Sequence, residues 1–421
     1  MSNNNIKAIR GFSDLLPEDS PLWGDIEANM RAILARWNYS EVRTPIVEKT
    51  ELFCRGIGEA TDIVGKEMYT FQDKGDESLT LRPEGTAGVV RAFVEHNLHT
   101  ASSPVKLWYT GPMFRYERPQ KGRYRQFHQL GVEVFGETSA LVDAEVVALG
   151  YELLRAIGIH EAVAVEINNI GCPECRPGYR DALTAYLKER IAHLCENCVS
   201  RLDKNPLRSL DCKATGCREQ VKDAPRIDDH RCPACADHYS ALQHYLEIAG
   251  VPFQRNSLMV RGLDYYVRTA FEFTTDKLGS QNAIGGGGRY DGLVETIGGP
   301  ATPGVGFAFG LERLILLAKE LGITASTPAP DYFIGYTDNA YAAHALRLQC
   351  ALRRIGKNCE IDPQSRSVKA IFKKGDRLNA RGVVLIGENE YNAQTYTLKS
   401  MASGEQQTAT LDEIIALEVS D

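Results

Sequence analysis

Apolar positions along the chain follow two rhythms. From residue 21 to 37, Leu22, Ile26, Ile33, Leu34 and Trp37 recur at helical spacing behind a Ser20-Pro21 start, which predicts a helix. Further helices are expected over 86–96 and 141–157. Between them the rhythm changes. Lys106–Gly111 and Gln126–Phe135 read as two strands joined by a polar loop, 117–125, too long for a tight hairpin, and 163–168 reads as another strand. An amphipathic helix (Tyr179, Leu183, Tyr186, Leu187, Ile191, Leu194) falls within 171–248, and the strand pattern resumes over 258–275. A glycine run at 285–290 precedes a short strand, 304–309, and a helix, 311–321. Beyond the Pro/Ser/Thr-rich stretch 324–330, strands at 332–336, 383–386 and 395–398 alternate with helices at 341–355 and 368–381, the pattern of an α/β domain of usual size. On the second of these helices Lys369, Lys373, Arg377 and Arg381 fall on one stripe.

Length and composition narrow the class. A chain of 421 residues suits two or three domains, each with its own core. With 43% hydrophobic and 24% charged residues it reads as a soluble globular protein, which excludes a fibrous or disordered chain. Apolar runs fall short of the roughly 20 residues of a membrane-spanning helix, and the opening MSNNNIKAIR is too polar for a signal peptide. A cytoplasmic protein with no membrane association is expected. The net charge of −7 argues against a polycation that coats nucleic acid, yet leaves room for local basic patches. Of 11 cysteines, all but Cys54, Cys350 and Cys359 crowd into 172–235, and clustered pairs in a reducing compartment favour metal over disulfide.

The richest chemistry lies between Met113 and Glu133. Strand alternation puts Arg115 and Glu117 on one face of the outgoing strand. On the returning strand Phe127, Gln129 and Glu133 share a face, with Leu130, Val132 and Val134 on the other. An arginine, two carboxylates, an amide and a ring make a ligand face, with a solvated charged hairpin as the plainer alternative. Between Arg115 and Arg125 basic residues outnumber acidic ones by five to one, which suits a polyphosphate. Glu84 and Thr86 stand where they could hold a substrate ammonium or simply cap the helix 86–96. Arg261-Gly-Leu-Asp-Tyr265-Tyr266 gathers an arginine, a carboxylate and two phenols, either for a ligand or for strand-end ion pairing. The glycine runs lack P-loop and Rossmann spacing, whereas Gly310-Leu-Glu312-Arg313 puts an arginine in a first helical turn, where phosphate is favoured. There is no Ser-His-Asp or HExxH arrangement, and His128, sharing a face with Gln126, Leu130 and Val132, reads as core.

In this order the motifs resemble those of class II aminoacyl-tRNA synthetases. Pro45 in Val-Arg-Thr-Pro-Ile-Val, Phe114-Arg115-Tyr-Glu117 with the later Arg125-Gln-Phe127, and Gly306-Phe-Ala-Phe-Gly-Leu-Glu-Arg313 are similar to motifs 1, 2 and 3. Arg261–Tyr266 and Gly287-Gly-Arg-Tyr-Asp-Gly292 resemble signatures of the histidyl-tRNA synthetases. Ala8–Pro17 and Leu79–Thr86 resemble the bacterial form, and the likeness runs from about residue 6 to the C-terminus. It implies that Arg115 contacts the ATP α-phosphate, Glu117 the adenine amino group, Phe127 the adenine face, and Arg313 with Arg123 the γ-phosphate end. Glu84, Thr86 and Gln129 would bind the substrate ammonium, Glu133 and Tyr266, beside Tyr265, the imidazole, and Arg261 the histidine carboxylate and α-phosphate. Substrates would be L-histidine, ATP with Mg²⁺, and tRNA(His), on a homodimer built around motif 1. Gly286 stands where the family usually has alanine.

The expected fold class is α+β. An antiparallel class II catalytic core over 1–325 is interrupted at about 171–250 by a cysteine-rich insert. A linker at 326–330 and an α/β anticodon-binding domain over 331–421 follow. In the insert, Cys172-x-x-Cys175, Cys195-x-x-Cys198 and Cys232-x-x-Cys235 have zinc spacing, and Cys212-x₄-Cys217 is compatible with it, so two structural Zn²⁺ sites or eight reduced thiols are the alternatives. A non-catalytic relative, the synthetase-like regulatory subunit of ATP phosphoribosyltransferase, shares the core fold and is the competing function.

Overall fold

The computed structural model describes residues 6–58, 61–100, 103–203, 205–260, 263, 265–279, 282–325 and 329–419. The chain divides into two compact units, 1–325 and 326–421.

In chain order the strands of the first unit are β1 (Ser40–Glu41), β2 (Val47–Lys49), β3 (Tyr69–Gln72), β4 (Ser78–Leu81), β5 (Val105–Phe114), β6 (Gln126–Phe135), β7 (Ala164–Asn169), β8 (Gln254–Arg255), β9 (Val267–Thr274), β10 (Ala283–Arg289) and β11 (Gly304–Gly310). An eight-stranded sheet runs β1-β5-β6-β11-β10-β9-β7-β8, and β2-β4-β3 form a smaller one. From β5 to β7 every neighbour is antiparallel, while β1 and β8 add parallel edges. One face of the large sheet is apolar. Helices Ser20–Arg36, Ala140–Ala156 and Leu311–Glu320 set Leu22, Ile26, Met30, Val146, Leu153 and Leu314 in one core with Leu130, Val132, Val134, Phe271, Phe273 and Phe307. Burying each such side chain contributes about 1.5–3 kcal/mol. The helix Thr86–Glu95 covers part of the other face, packing Val89, Val90 and Phe93 with Tyr109 and Phe135. The rest of that face holds the cavity described below.

Three expectations shift locally. The β5–β6 register runs from Val105↔Phe135 to Phe114↔Gln126, so Arg115 and Glu117 lie just past the strand, in the loop rather than on its face. Strand structure is expected from 258; among the described residues strand β9 begins at Val267, and Asn256 starts a side-chain-closed turn, its Oδ1 accepting from the Leu258 N–H at 3.1 Å. The glycine run, given no secondary structure from sequence, is strand β10.

The insert carries helices Arg176–Lys188, Glu196–Arg201, Thr215–Val221 and Pro233–Ile248. The first stops short of Leu194, giving way to a single turn at Ile191–His193. Tyr179, Leu183, Leu187, Leu202, Leu210, Val221 and Ile227 form a small separate core. The last helix belongs to the main body, with Tyr239, Leu242 and Leu246 in the principal core.

The second unit has β12 (Tyr332–Tyr336), β13 (Cys359–Ile361), β14 (Gly382–Ile386), β15 (Thr395–Ser400) and β16 (Gln406–Thr410) in the order β13-β12-β14-β15-β16, parallel across the first three and antiparallel after. Helix Ala342–Arg354 packs on this sheet, and so does helix Val368–Arg377. The latter ends four residues early. Asn379 turns left-handed (φ 53°) and the Arg381 N–H donates to Pro330 O at 2.9 Å. Arg381 therefore leaves the expected stripe and pairs with Asp331 at 3.2 Å, while Lys369, Lys373 and Arg377 remain exposed along the helix.

Candidate active site

On the open face of the large sheet lies a cavity of about 340 Å³. Its lining unites β6, the loop 115–125, the entry to helix Thr86–Glu95, Tyr265 and Tyr266, β10, and the first turn of helix Leu311–Glu320. Glu84, Thr86, Arg115, Glu117, Arg123, Phe127, Gln129, Tyr265, Tyr266 and Arg313, scattered over 230 residues in sequence, all face it. Arg261 lies outside the described residues, as does Asp264.

Three arginines set the positive end. Arg115 donates from Nε to Pro83 O at 2.8 Å, and its guanidinium lies 5.3 Å from the Phe127 ring centroid. Arg313 is anchored by Gly122 O at 2.9 Å and Ala283 O at 2.5 Å, so carbonyls from the loop and from β10 fix its direction. Arg123 is paired with Glu117. Burial pushes the Glu117 carboxyl up, but Arg123 and Arg115 outweigh it and hold it below the usual range. Its neighbour Glu67, which sequence reasoning missed, is pushed to about 7 by burial and by the Glu117 charge.

The other end is more enclosed. Glu84 accepts from the Thr86 N–H at 2.8 Å and the Ala87 N–H at 2.7 Å, so it caps the helix even while lining the cavity. Thr86 Oγ1 turns inward and donates to Glu133 at 2.7 Å. Glu133 itself is 1% exposed and sits behind the lining, its second oxygen taken by the Tyr290 hydroxyl. Both Glu133 oxygens thus accept from protein hydroxyls, and Thr86 stands between this carboxylate and the cavity. Burial pushes Glu133 up to about 8 against the opposing pull of Tyr290 and Thr86. This layer closes only because the facing positions lack side chains: a Cβ on Gly306 would collide with Glu133, and one on Gly131 with the Tyr109 ring. Gln129 Oε1, by contrast, is buried with no partner among the described residues. Such an orphan acceptor points to a ligand donor.

Several contributors were not legible. Tyr109 and Tyr290 look like ordinary core aromatics, although Tyr290 stands inside the Gly287–Gly292 motif. His128 is not core: about a third exposed, it holds Glu312 through its backbone N–H at 2.9 Å and its Nδ1 at 3.0 Å. Glu312 in turn precedes Arg313, so His128 steadies the helix that presents the arginine.

The eight clustered cysteines gather into two groups away from the cavity: Cys172, Cys175, Cys232 and Cys235, and Cys195, Cys198, Cys212 and Cys217. In each group the sulfurs lie within 4.8 Å of one another, and either could hold a metal ion.

An antiparallel sheet that floors a pocket of arginines, two from the β5–β6 hairpin loop and one from the helix after β11, is the architecture of a class II aminoacyl-tRNA synthetase. Residues 11–314 match the family model for histidyl-tRNA synthetase, and 331–418 match an anticodon-binding domain. The chain is 52% identical over 408 residues to the histidine–tRNA ligase of Trichlorobacter lovleyi, covering 97% of this chain and 96% of that protein. It is 49% identical over 407 residues to that of Geobacter metallireducens, covering 97% and 98%. A crystal structure of apo Staphylococcus aureus histidyl-tRNA synthetase superposes with a TM-score of 0.83 at 37% identity, over 98% of this chain and all of that one. The chain belongs to the histidyl-tRNA synthetase family.

Proposed function

We propose that the chain is an aminoacyl-tRNA ligase that activates L-histidine with ATP and transfers it to the 3′ end of tRNA(His). The observation that carries this reading is one cavity holding three arginines beside a ring, Phe127, with an unpartnered buried amide oxygen, Gln129 Oε1, in its wall. Cationic and stacking groups fit a nucleotide triphosphate, and an orphan acceptor fits an ammonium.

The reaction needs no protein nucleophile. The histidine carboxylate attacks the α-phosphorus in line and pyrophosphate leaves, so the protein has only to position the partners and stabilise charge. Arg115 would meet the α-phosphate, with Phe127 under the adenine and Glu117 at its amino group. Arg313, and Arg123 once released from Glu117, would take the γ-phosphate end. Mg²⁺ would enter as part of the ATP substrate and offset phosphate charge. Glu84 and Gln129 would hold the ammonium. Thr86 and Tyr266, backed by Glu133 and with Tyr265 alongside, would line the imidazole end. Arg261 would bridge the histidine carboxylate and the α-phosphate. The 3′-hydroxyl of the tRNA then attacks the adenylate carbonyl, forming the ester and losing its proton as the bond from the carbonyl carbon to the phosphate oxygen breaks and AMP leaves.

The regulatory-subunit alternative loses on identity, since histidine–tRNA ligases are about half identical over nearly the whole chain, anticodon-binding domain included. A structure described as an ATP phosphoribosyltransferase regulatory subunit/histidyl-tRNA synthetase from Bacillus halodurans, at 22% identity and a TM-score of 0.65, shares the fold alone. Among the described residues no helix is long and apolar enough to cross a membrane. We further propose a homodimer, supported by Pro45, Ile46, Val47 and Phe71, which are exposed together on and beside the small sheet that follows motif 1. Pyrophosphate exchange with each amino acid tests the activity: only histidine should support it.

A further inference from the structure

We infer that the two cysteine groups are nested zinc sites with separate tasks, the outer one a clasp that holds the histidine pocket in place. The chain order of the four pairs does not say which pair meets which; the fold does. The first pair, Cys172 and Cys175, meets the fourth, Cys232 and Cys235; the second meets the third.

The spacing within the groups is that of a ligand shell. Cys172 Sγ lies 3.7 Å from Cys175 Sγ and 3.8 Å from Cys232 Sγ, and Cys175 Sγ lies 3.8 Å from Cys235 Sγ. In the inner group Cys195 and Cys212 sulfurs are also 3.8 Å apart. Four sulfurs held about 2.3 Å from a central zinc would have tetrahedral edges of about 3.8 Å, whereas a disulfide needs about 2.05 Å. Backbone donors support the sulfurs in both groups: the Cys172 N–H donates to Cys175 Sγ at 3.2 Å, and the Cys195 N–H to Cys217 Sγ at 3.1 Å. Such second contacts orient thiolate ligands. All-sulfur tetrahedra suit zinc or iron, and mononuclear tetrathiolate sites closed on every side by protein suit structural zinc.

The two groups occupy different places. The inner ligands come from the short helices Glu196–Arg201 and Thr215–Val221 and the segments beside them, and they tie up the distal lobe with its small core. The outer ligands stand where the insert leaves and rejoins the sheet: Cys172 and Cys175 just after β7, Cys232 and Cys235 at the start of helix Pro233–Ile248. Three residues there make contacts with the catalytic unit. Asn169, at the end of β7, donates from Nδ2 to Cys235 O at 3.0 Å. Arg176, next to Cys175, donates to Gly171 O at 3.2 Å and to Tyr266 O at 2.5 Å. His238, one turn beyond Cys235, reaches Asp143 at 2.8 Å, and Asp143 forms a fully buried pair with Arg289 of β10. A metal in the outer group therefore fixes the backbone of Tyr266, which lines the cavity, and one end of the strand that floors it. Residues of the outer group are positioning residues; none of them lines the cavity.

The metal content stands apart from the reaction. The kinetic consequence rests on the histidine-activation reading of the pocket, so the two can fail separately. Full-length protein purified under reducing conditions without chelator should contain two zinc per chain by elemental analysis, released in two steps by an organomercurial thiol reagent. C175S/C235S should retain one zinc and raise KM for histidine in pyrophosphate exchange at least fivefold, with KM for ATP changed less than twofold. C198S/C217S should also retain one zinc, leave both constants unchanged, and charge tRNA more slowly. Zinc-free unaltered protein with all eleven thiols titratable, or stoichiometric iron in its place, overturns the zinc assignment. Loss of both ions from either double variant overturns the nesting. An unchanged KM for histidine in a folded C175S/C235S protein that has lost one zinc overturns the clasp. Should that variant fail to fold, Arg176→Ala, with two zinc retained, must show the same KM split.

Discussion

Arg115 illustrates how much a single residue reveals. Its neighbours in sequence marked it as a ligand residue, but its anchoring by Pro83 O depends on a chain reversal 32 residues earlier, which no local pattern shows. Arg115→Ala should lower pyrophosphate exchange by about 10²–10³-fold, the usual loss when one preorganised charge or donor is removed from a reacting centre. A loss below tenfold in steady-state exchange would remove Arg115 from the phosphate. Glu133 carries a pH signature. Its folded-state pKa of about 8 lies above the ordinary 4.5, so the folded protein binds the extra proton between those values. Its contribution to stability is fully present below about pH 4.5 and declines as pH rises to about 8. Melting temperatures across pH 5–9 should show that decline in the unaltered protein and a flatter profile in Glu133→Gln. Identical profiles would mean that Glu133 is ionised where it sits. Alternation in β6 exposed Gln129 and Phe127 to sequence reasoning. The burial of Glu133 was hidden, since it depends on Thr86, Tyr290 and the bare Gly306, all remote in sequence.

At the scale of elements, those with a strong apolar period were legible, such as the helix Ser20–Arg36 and the strand Gln126–Phe135. Strand β10 was not, because four consecutive glycines have no side chains to alternate. Helix Val368–Arg377 shows the limit at a boundary: the basic period continues to Arg381, but the left-handed Asn379 breaks it. Lys369, Lys373 and Arg377 make the exposed basic face that an anticodon stem would meet. Replacing all three with alanine should raise KM for tRNA and reduce its salt slope by about one per lost phosphate contact. Histidine activation should not change. Unaltered charging kinetics across a salt series would place the tRNA on another face of this unit.

Across the whole molecule, the catalytic fold was legible through the order of its motifs rather than through periodicity, since residues from 84 to 313 meet in one cavity. The pairing of the cysteines was not, because spacing identifies ligand pairs but not their partners. The exposed apolar residues Ile46, Val47 and Phe71 make self-association the expected state. Sedimentation at assay concentration should give twice the 46.6 kDa of one chain, and a fully active species at 46.6 kDa would contradict the homodimer. The central claim is that this cavity makes histidyl-adenylate. ATP–pyrophosphate exchange, run with each of the common amino acids in turn, measures it most directly. The account predicts Mg²⁺-dependent exchange with histidine alone, abolished to within about 10²–10³-fold by Arg115→Ala. Absence of exchange with histidine, or equal exchange with another amino acid, would contradict it.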